Sequence, residues 1–240
     1  MGLQISGEQA IILAAGLGSR LGPLTVHKPK ALVEWEGRAL IDHVILKLKD
    51  SGFTDIIINV HHHAEMIIEH VKNKEHFGIH IEFSHEKDEL LDTGGGIANA
   101  AWFFDERPFL VYNVDILSTI DLPALMKAHR NSGCIATMAV KERLTTRSLL
   151  INGAGFLKGW RDMRSGETIL VDGSDAGLTP IAFSAIHVMD PKVFKLFPSE
   201  KRFPIMPFYL ELAQKEAIFM HRHDRDEWMD LGKLETYSNL

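Results

Sequence analysis

The sequence predicts an α/β domain built on a doubly wound, mixed but mostly parallel sheet with helices on both faces. Two observations predict it. Short apolar runs are bounded by polar or turn residues, and between them lie segments whose apolar residues recur at helical spacing. Runs that are apolar at nearly every position mark strands buried on both sides, the condition of a parallel sheet covered by helices.

The first such run is residues 10–15, AIILAA. Leu40, Ile41, Val44, Ile45 and Leu48 then share a helical face, and residues 55–60, DIIINV, return as a strand. Met66, Ile67 and Val71 mark a second helix, residues 79–83 (IHIEF) a third strand, and residues 96–104 a further helical segment. Residues 108–115 (PFLVYNVD), a helix over 122–130 and residues 134–140 (CIATMAV) complete the alternation. After Val140 the pattern turns hairpin-like: SLLIN, then Gly153 and Gly155, then FLKGW and a polar, turn-rich stretch to Leu178. Residues 141–178 or so are therefore expected to form an insertion or lid on one domain that spans residues 1–240.

Bulk properties exclude several function classes. The chain has 240 residues, 45% of them hydrophobic, enough for one substantial core. No apolar run reaches membrane-spanning length, and MGLQISGEQA lacks the basic start and apolar centre of a secretory leader, so a cytoplasmic protein is expected. The single Cys134 heads an apolar stretch and reads as a buried thiol. A net charge of -6 argues against general nucleic-acid binding.

The chemistry concentrates just after the first strand. Leu13, Ala14, Ala15, Gly16, Gly18 and Arg20 form a glycine-rich turn, and Pro23, Thr25, Pro29 and Lys30 follow within one contiguous stretch. Glycines let backbone amides approach an anion closely, while Arg20 and Lys30 supply charge-assisted donors. No Asp or Glu occurs from Gln9 to Val33, which makes a local cationic site on an acidic chain. The string is not a P-loop, because no G-x-x-x-x-G-K-[ST] follows Gly16 or Gly18. Nor is it a good dinucleotide fingerprint, since Leu21 stands where the third small residue belongs. Asp115 ends the strand PFLVYNVD and Asp230 lies in EWMDLGKLE; by themselves both are ordinary strand-end acids. The run His61-His62-His63 reads as a solvated loop, and His221 and His223 as a polar strand edge.

The stretch GLGSRLGPLTVHKPK resembles the G-x-G-x-R-x-x-P-x-T-x-x-x-P-K signature of the sugar-phosphate nucleotidyltransferases. The segment LLDTGGGIANA is similar to the family's nucleotide-contacting loop, in the form found in N-acetylmuramate-1-phosphate uridylyltransferases. The resemblance implies a Rossmann-like, GT-A-like nucleotidyltransferase fold, with a nucleoside triphosphate and a sugar-1-phosphate as partners. It implies Arg20, Lys30 and Asp115 as catalytic groups, and a nucleotide site made of Leu13, Ala14, Ala15, Gly16, Gly18, Arg20, Lys30, Thr93 and Gly94. Asn113, Ser184 and Arg147 become acceptor contacts, and Asp115 and Asp230 the ligands of Mg2+. Gly95 and Gly96 would open a helix, after a cap at Asp92 or Thr93, whose N-terminus favours anions. UTP and an N-acetylmuramate-1-phosphate-type acceptor are favoured. A GTP-dependent mannose-1-phosphate enzyme and a non-catalytic nucleotide-binding regulator are the alternatives, and the chain is expected to be a monomer or homodimer.

Three departures carry consequences. The family usually has glycine where this chain has Val114 and Ala185, and Val114 is expected to crowd the phosphates. Many relatives carry a Glu-Lys-Pro string whose lysine meets the acceptor phosphate; residues 141–179 contain none, which leaves that clamp among Arg147, Lys158 and Arg161.

Overall fold

The structure is a computed structural model that describes residues 7–233 and Tyr237. Most of the N-terminal stretch read above for a leader lies outside the described residues. The strands and helices alternate as the sequence predicts. β1 (Glu8–Leu13) leads through the glycine loop and the small hairpin β2 (Glu34–Trp35) and β3 (Arg38–Ala39) to α1 (Leu40–Asp50). β4 (Phe53–Val60), α2 (Ala64–Asn73), β5 (His80–His85) and α3 (Asp92–Asn99) follow. β6 (Phe109–Asn113) and β7 (Ile116–Ser118) precede α4 (Leu122–Ser132) and β8 (Ala136–Lys141). The region after Val140 supplies β9 (Arg147–Ile151), β10 (Leu157–Asp162) and β11 (Thr168–Leu170), and β12 (Thr179–Met189) re-enters the sheet. α5 (Ile205–Leu212), β13 (Ile218–Arg222) and β14 (Trp228–Asp230) finish the described chain.

The main sheet has the order β11-β10-β9-β12-β6-β1-β4-β5, with β8 on β12 and β13 on β8. The pairs β6–β1, β1–β4, β4–β5 and β8–β13 are parallel, and β12 is the reversed strand at the centre. Side-chain alternation sends successive residues of a strand into two cores. Ala10 and Ile12 of β1 pack with Ile41, Val44, Ile67 and Leu125 on the face of α1, α2 and α4. Ile11 packs with Ile97, Phe208 and Tyr209 on the face of α3 and α5. Each fully buried Leu or Ile of this kind contributes about 1.5–3 kcal/mol of apolar burial, which is why both faces of the strands are apolar.

Local chemistry sets the helix ends. Asp121 caps α4 by accepting from the Ala124 N–H at 2.9 Å, and Gly133 ends it in the left-handed region at φ 63. The helix expected over residues 96–104 begins earlier, at Asp92, and gives way to a short 3-10 turn at Ala101–Phe103. Neither Asp92 nor Thr93 caps it. Asp92 has φ 61 and pairs with Arg202 at 3.0 Å, while Thr93 Oγ1 accepts from the Ile205 N–H at 3.0 Å.

β12 is interrupted by a bulge between Phe183 and His187, where Ala185 takes φ 56. Before the bulge its start, Thr179–Ile181, pairs with β9; beyond it Ile186–Met189 pairs with β6. One strand thus carries both the central sheet and the β9–β11 leaf.

Candidate active site

The carboxyl ends of the parallel strands converge on one place. Leu13 of β1 stands in register between Asn59 of β4 and Asn113 of β6. The ladder runs on past the strand ends, with the Ala14 N–H donating to the Asn59 carbonyl and the Val114 N–H to the Leu13 carbonyl. Asn59 also accepts from the Ala14 N–H through Oδ1 at 2.8 Å and donates from Nδ2 to Glu86 Oε1 at 2.6 Å. Glu86 Oε2 in turn accepts the Leu91 N–H at 2.8 Å, tying the glycine loop to the entry of α3. Burial pushes the Glu86 carboxyl up, against the lowering pull of its hydrogen bonds from Leu91 and Asn59. Gly96 leaves room for the pair, since a Cβ there would lie 2.5 Å from Asn59 Nδ2.

The glycine loop closes on itself. Gly18 has φ 68, and a Cβ on it would lie 2.9 Å from Thr25 Cγ2 and 3.1 Å from Lys30 Cβ. The Thr25 hydroxyl reaches the Gly18 and Gly22 carbonyls at 3.1 and 3.2 Å. That fold-back brings Lys30 Nζ to 2.6 Å from Asp115 Oδ2, with Arg20 Nη2 at 4.0 Å from the same oxygen. Asp115 is buried, Lys30 nearly so, and Arg20 is exposed.

Asp230 joins them across β7 and β14, which pair Asp230 with Ile116, and the Leu231 N–H donates to the Asp115 carbonyl at 2.8 Å. Gly232 is the reason the groups can approach. A Cβ on it would lie 2.3 Å from Asp115 Oδ2, 2.9 Å from Asp230 Oδ1 and 3.1 Å from Arg20 Nη2. Two carboxylates and a guanidinium therefore face one point.

Most of the sequence-derived residues meet here. A cavity of about 180 Å³ is lined by Leu13, Ala15, Gly16, Lys30, Thr93, Asn113 and Asp115, together with Asn59, Leu90 and Asp92. Ala14 supports it through Asn59. Gly94 does not line it: its N–H donates to the Phe203 carbonyl at 2.9 Å, and a Cβ would lie 2.3 Å from the Phe203 ring. Gly95 gives its N–H to the same carbonyl, so the expected anion-binding helix start is occupied by the protein's own backbone. Arg147 lies apart, in a pocket of about 510 Å³ between the β9–β11 leaf and α5. A larger cavity of about 730 Å³, lined by Trp35, Lys47 and Trp228 among others, holds none of the signature residues.

Three expectations are corrected. Ser184 is fully buried at the β12 bulge rather than open to an acceptor, its Oγ 2.7 Å from His223 Nε2, and its carbonyl accepts the Trp228 indole N–H at 2.9 Å. His223 is accordingly buried rather than a surface residue, and burial foremost lowers its pKa. Val114 does not crowd the phosphates, because strand alternation turns its side chain into the core beside Leu21, Tyr112 and Ile116. Among the described residues no cluster of three or more metal-ligating side chains occurs, at His61–His63 or elsewhere. Sequence reasoning missed Asn59, Glu86 and Gly232. Asn59 had a visible signal, as the one amide in an otherwise aliphatic strand end, and Gly232 stands two residues after Asp230.

The profile described as nucleotidyl transferase matches residues 9–148, from β1 to the start of β9. The chain belongs to the nucleotidyl transferase family. This nucleotidyl transferase is 31% identical over 233 residues to the N-acetylmuramate alpha-1-phosphate uridylyltransferase of Caulobacter vibrioides, covering 90% of this chain and 91% of that protein. It is 35% identical over 241 residues to the mannose-1-phosphate guanylyltransferase catalytic subunit beta of Drosophila pseudoobscura pseudoobscura, covering 97% of this chain and 61% of that protein. The fold is that of HddC from Yersinia pseudotuberculosis, solved in complex with GMP-PN, at a TM-score of 0.76, 23% identity and 97% coverage of both chains. Family and fold thus agree with the resemblance read from Gly16–Lys30. No helix among the described residues is long and apolar enough to cross a membrane.

Proposed function

We propose that this nucleotidyl transferase moves the nucleotidyl group of UTP onto an N-acetylmuramate-1-phosphate-type acceptor, giving a nucleotide-sugar and pyrophosphate. The observation that carries the reading is the Lys30–Asp115 pair at 2.6 Å, at the edge of a cavity lined by Gly16, Thr93 and Asn113. An oxygen of the acceptor phosphate forms the new bond to the α-phosphorus. The bond to the bridging oxygen breaks, and its electron pair leaves on pyrophosphate. No covalent enzyme intermediate is needed, so the protein's work is positioning and charge stabilisation. In this reading Lys30, beside Asp115, serves the α-phosphate and the acceptor, and Arg20, exposed on its loop, serves the outer phosphates. The Thr93 hydroxyl, which accepts from Ile205, keeps its own proton for a ribose or base acceptor. Gly94 then acts by letting Phe203 press on α3 rather than by touching the nucleotide.

Magnesium fits the donors present. Asp115 and Asp230 are hard oxygen ligands that face one point above Gly232, and water and phosphate oxygens would complete their coordination. Bound there, the cation would supply electrostatic stabilisation of charge on the α-phosphate and the departing pyrophosphate.

The acceptor preference rests on the pocket between the β9–β11 leaf and α5. Its lining includes Leu149, Trp160, Phe183, Met206 and Leu210, and Arg147 is the one charged side chain among them. An apolar wall with a single guanidinium suits a sugar that carries an apolar substituent ending in a carboxylate, which a lactyl sugar has and mannose lacks. In this reading the leaf is the lid on the acceptor. A guanylyltransferase acting on mannose-1-phosphate is the second reading, favoured by the 35% identity noted above. Pyrophosphate release from UTP with N-acetylmuramate-1-phosphate, against GTP with mannose-1-phosphate, decides between them.

A further inference from the structure

The acceptor's phosphate needs a cation, and the three candidates from the sequence are poorly placed for it. Lys158 pairs with Asp172 at 2.9 Å and Arg161 with Asp175 at 2.6 Å, both out on the leaf. Arg147 faces the apolar pocket. A fourth cation, Arg143, lies in the segment between β8 and β9. Its guanidinium carbon is 3.8 Å from the centre of the Trp228 ring, and its Nη2 donates to the Phe183 carbonyl at 2.8 Å. Trp228 is itself fixed by its indole N–H on the Ser184 carbonyl. Trp228 and Asp230 are two apart on β14, so their side chains leave the strand on one side.

The Arg143 guanidinium has carbonyls as its hydrogen-bond partners among the described residues, Phe183 through Nη2 and Leu144 through Nη1 at 3.4 Å. No carboxylate lies within ion-pair distance of it among the described residues, and its Nε is buried without a hydrogen-bond partner. Burial lowers its pKa, and the Asp230 carboxylate pulls the other way. Stacking on indole holds the planar fork in one orientation without using its donors. A phosphate oxygen on that fork would give the unpartnered N–H an acceptor and take the bidentate bonds that guanidinium geometry favours.

We propose that Arg143, held flat on Trp228, is the clamp for the phosphate of the acceptor sugar phosphate in this chain. The inference rests on the nucleotidyltransferase reading above and adds to it the residue that takes the place of the missing lysine. It also explains the buried Ser184–His223 pair: the bulge they hold presents the Phe183 carbonyl to Arg143 and the Ser184 carbonyl to Trp228.

The test uses the full chain and three proteins: wild type, Arg143→Met, which keeps an apolar stem on Trp228, and Arg143→Lys, which keeps the charge without the fork. Pyrophosphate release is measured against acceptor and against nucleotide, and nucleotide binding by calorimetry. Arg143→Met is expected to raise the acceptor KM by about ten- to a hundredfold while nucleotide affinity stays within about twofold, with Arg143→Lys in between. Inorganic phosphate should inhibit wild type competitively with the acceptor and Arg143→Met far less; the unphosphorylated sugar should not distinguish them. An unchanged acceptor KM in Arg143→Met, or in Arg143→Lys should the Met chain fail to fold, overturns the clamp. So does an equal loss of nucleotide affinity, which would put Arg143 on the triphosphate instead. No turnover by wild type would overturn the function itself, whereas an active wild type with an indifferent Arg143 would overturn this inference alone.

Discussion

Lys30 Nζ and Asp115 Oδ2 stand 2.6 Å apart with both side chains largely shielded from water, and the glycine loop is folded so as to produce that contact. In such a place the Lys30 charge acts strongly on a phosphate brought beside it. Lys30→Met is therefore expected to lower kcat by about 10²–10³-fold while nucleotide affinity changes by less than about tenfold. Single-turnover rates and calorimetry separate the two. Equal losses in rate and affinity would make Lys30 a plain phosphate anchor.

Gly232 offers a test of the cation site that leaves both acids in place. A methyl group at this position would sit 2.3 Å from Asp115 Oδ2, so Gly232→Ala should raise half-saturating magnesium by about tenfold or more. Equilibrium magnesium titration checks this alongside activity. An unchanged titration would remove the point above Gly232 as the place where the cation sits.

How far the sequence foretold this arrangement depended on distance along the chain. The strands were legible because Ile11, Ile57 and Val111 are apolar for one reason, burial against a helix layer. The loop was legible because Gly18, Thr25 and Lys30 build it within one contiguous stretch, and Gly18 is needed for Thr25 and Lys30 to close in. Gly94 misled, because a glycine that admits a ligand and one that admits a distant Phe203 read alike. Ser184 and His223 misled for the same reason: only the β12 bulge and the β8–β13 pairing bring them together. Arg143 carried no local signal at all, since its meaning comes from Trp228 on a strand formed much later.

The bulge stores strain that one substitution should release. Ala185 sits at φ 56, a region that costs an L-residue about 1–2 kcal/mol. Ala185→Gly is expected to gain about 1 kcal/mol after the added freedom of the unfolded chain, a rise of about 2–4 °C in Tm. A fall in Tm measured by calorimetry would mean the methyl group packs more usefully than the strain costs.

His187 and His129, two of the three buried histidines among the described residues, contribute to the acid side of the stability curve. Burial lowers the pKa of His187 to about 3 and, as its largest cause, that of His129 to about 4. Both are neutral in the folded chain while their unfolded forms take up a proton near pH 6.5, so stability falls as pH drops below 6.5. The loss continues to about pH 4 for His129 and about pH 3 for His187. Each adds about 1.4 kcal/mol per pH unit in that window. His187→Phe, beside the ring of Tyr209, should remove one share of that slope in denaturant titrations between pH 6 and 4. An unchanged slope would show that His187 is already charged in the fold.

If the Lys30–Asp115 edge of the sheet transfers a nucleotidyl group to a sugar-1-phosphate, pyrophosphate is released. The purified chain would be given each of the four ribonucleoside triphosphates with magnesium, and with N-acetylmuramate-1-phosphate or mannose-1-phosphate. Release is expected with UTP and N-acetylmuramate-1-phosphate, and it should be lost on chelation of the metal and in Asp115→Ala. Release with GTP and mannose-1-phosphate alone would replace the substrates and keep the reaction; no release with any pair would refute nucleotidyl transfer at this site.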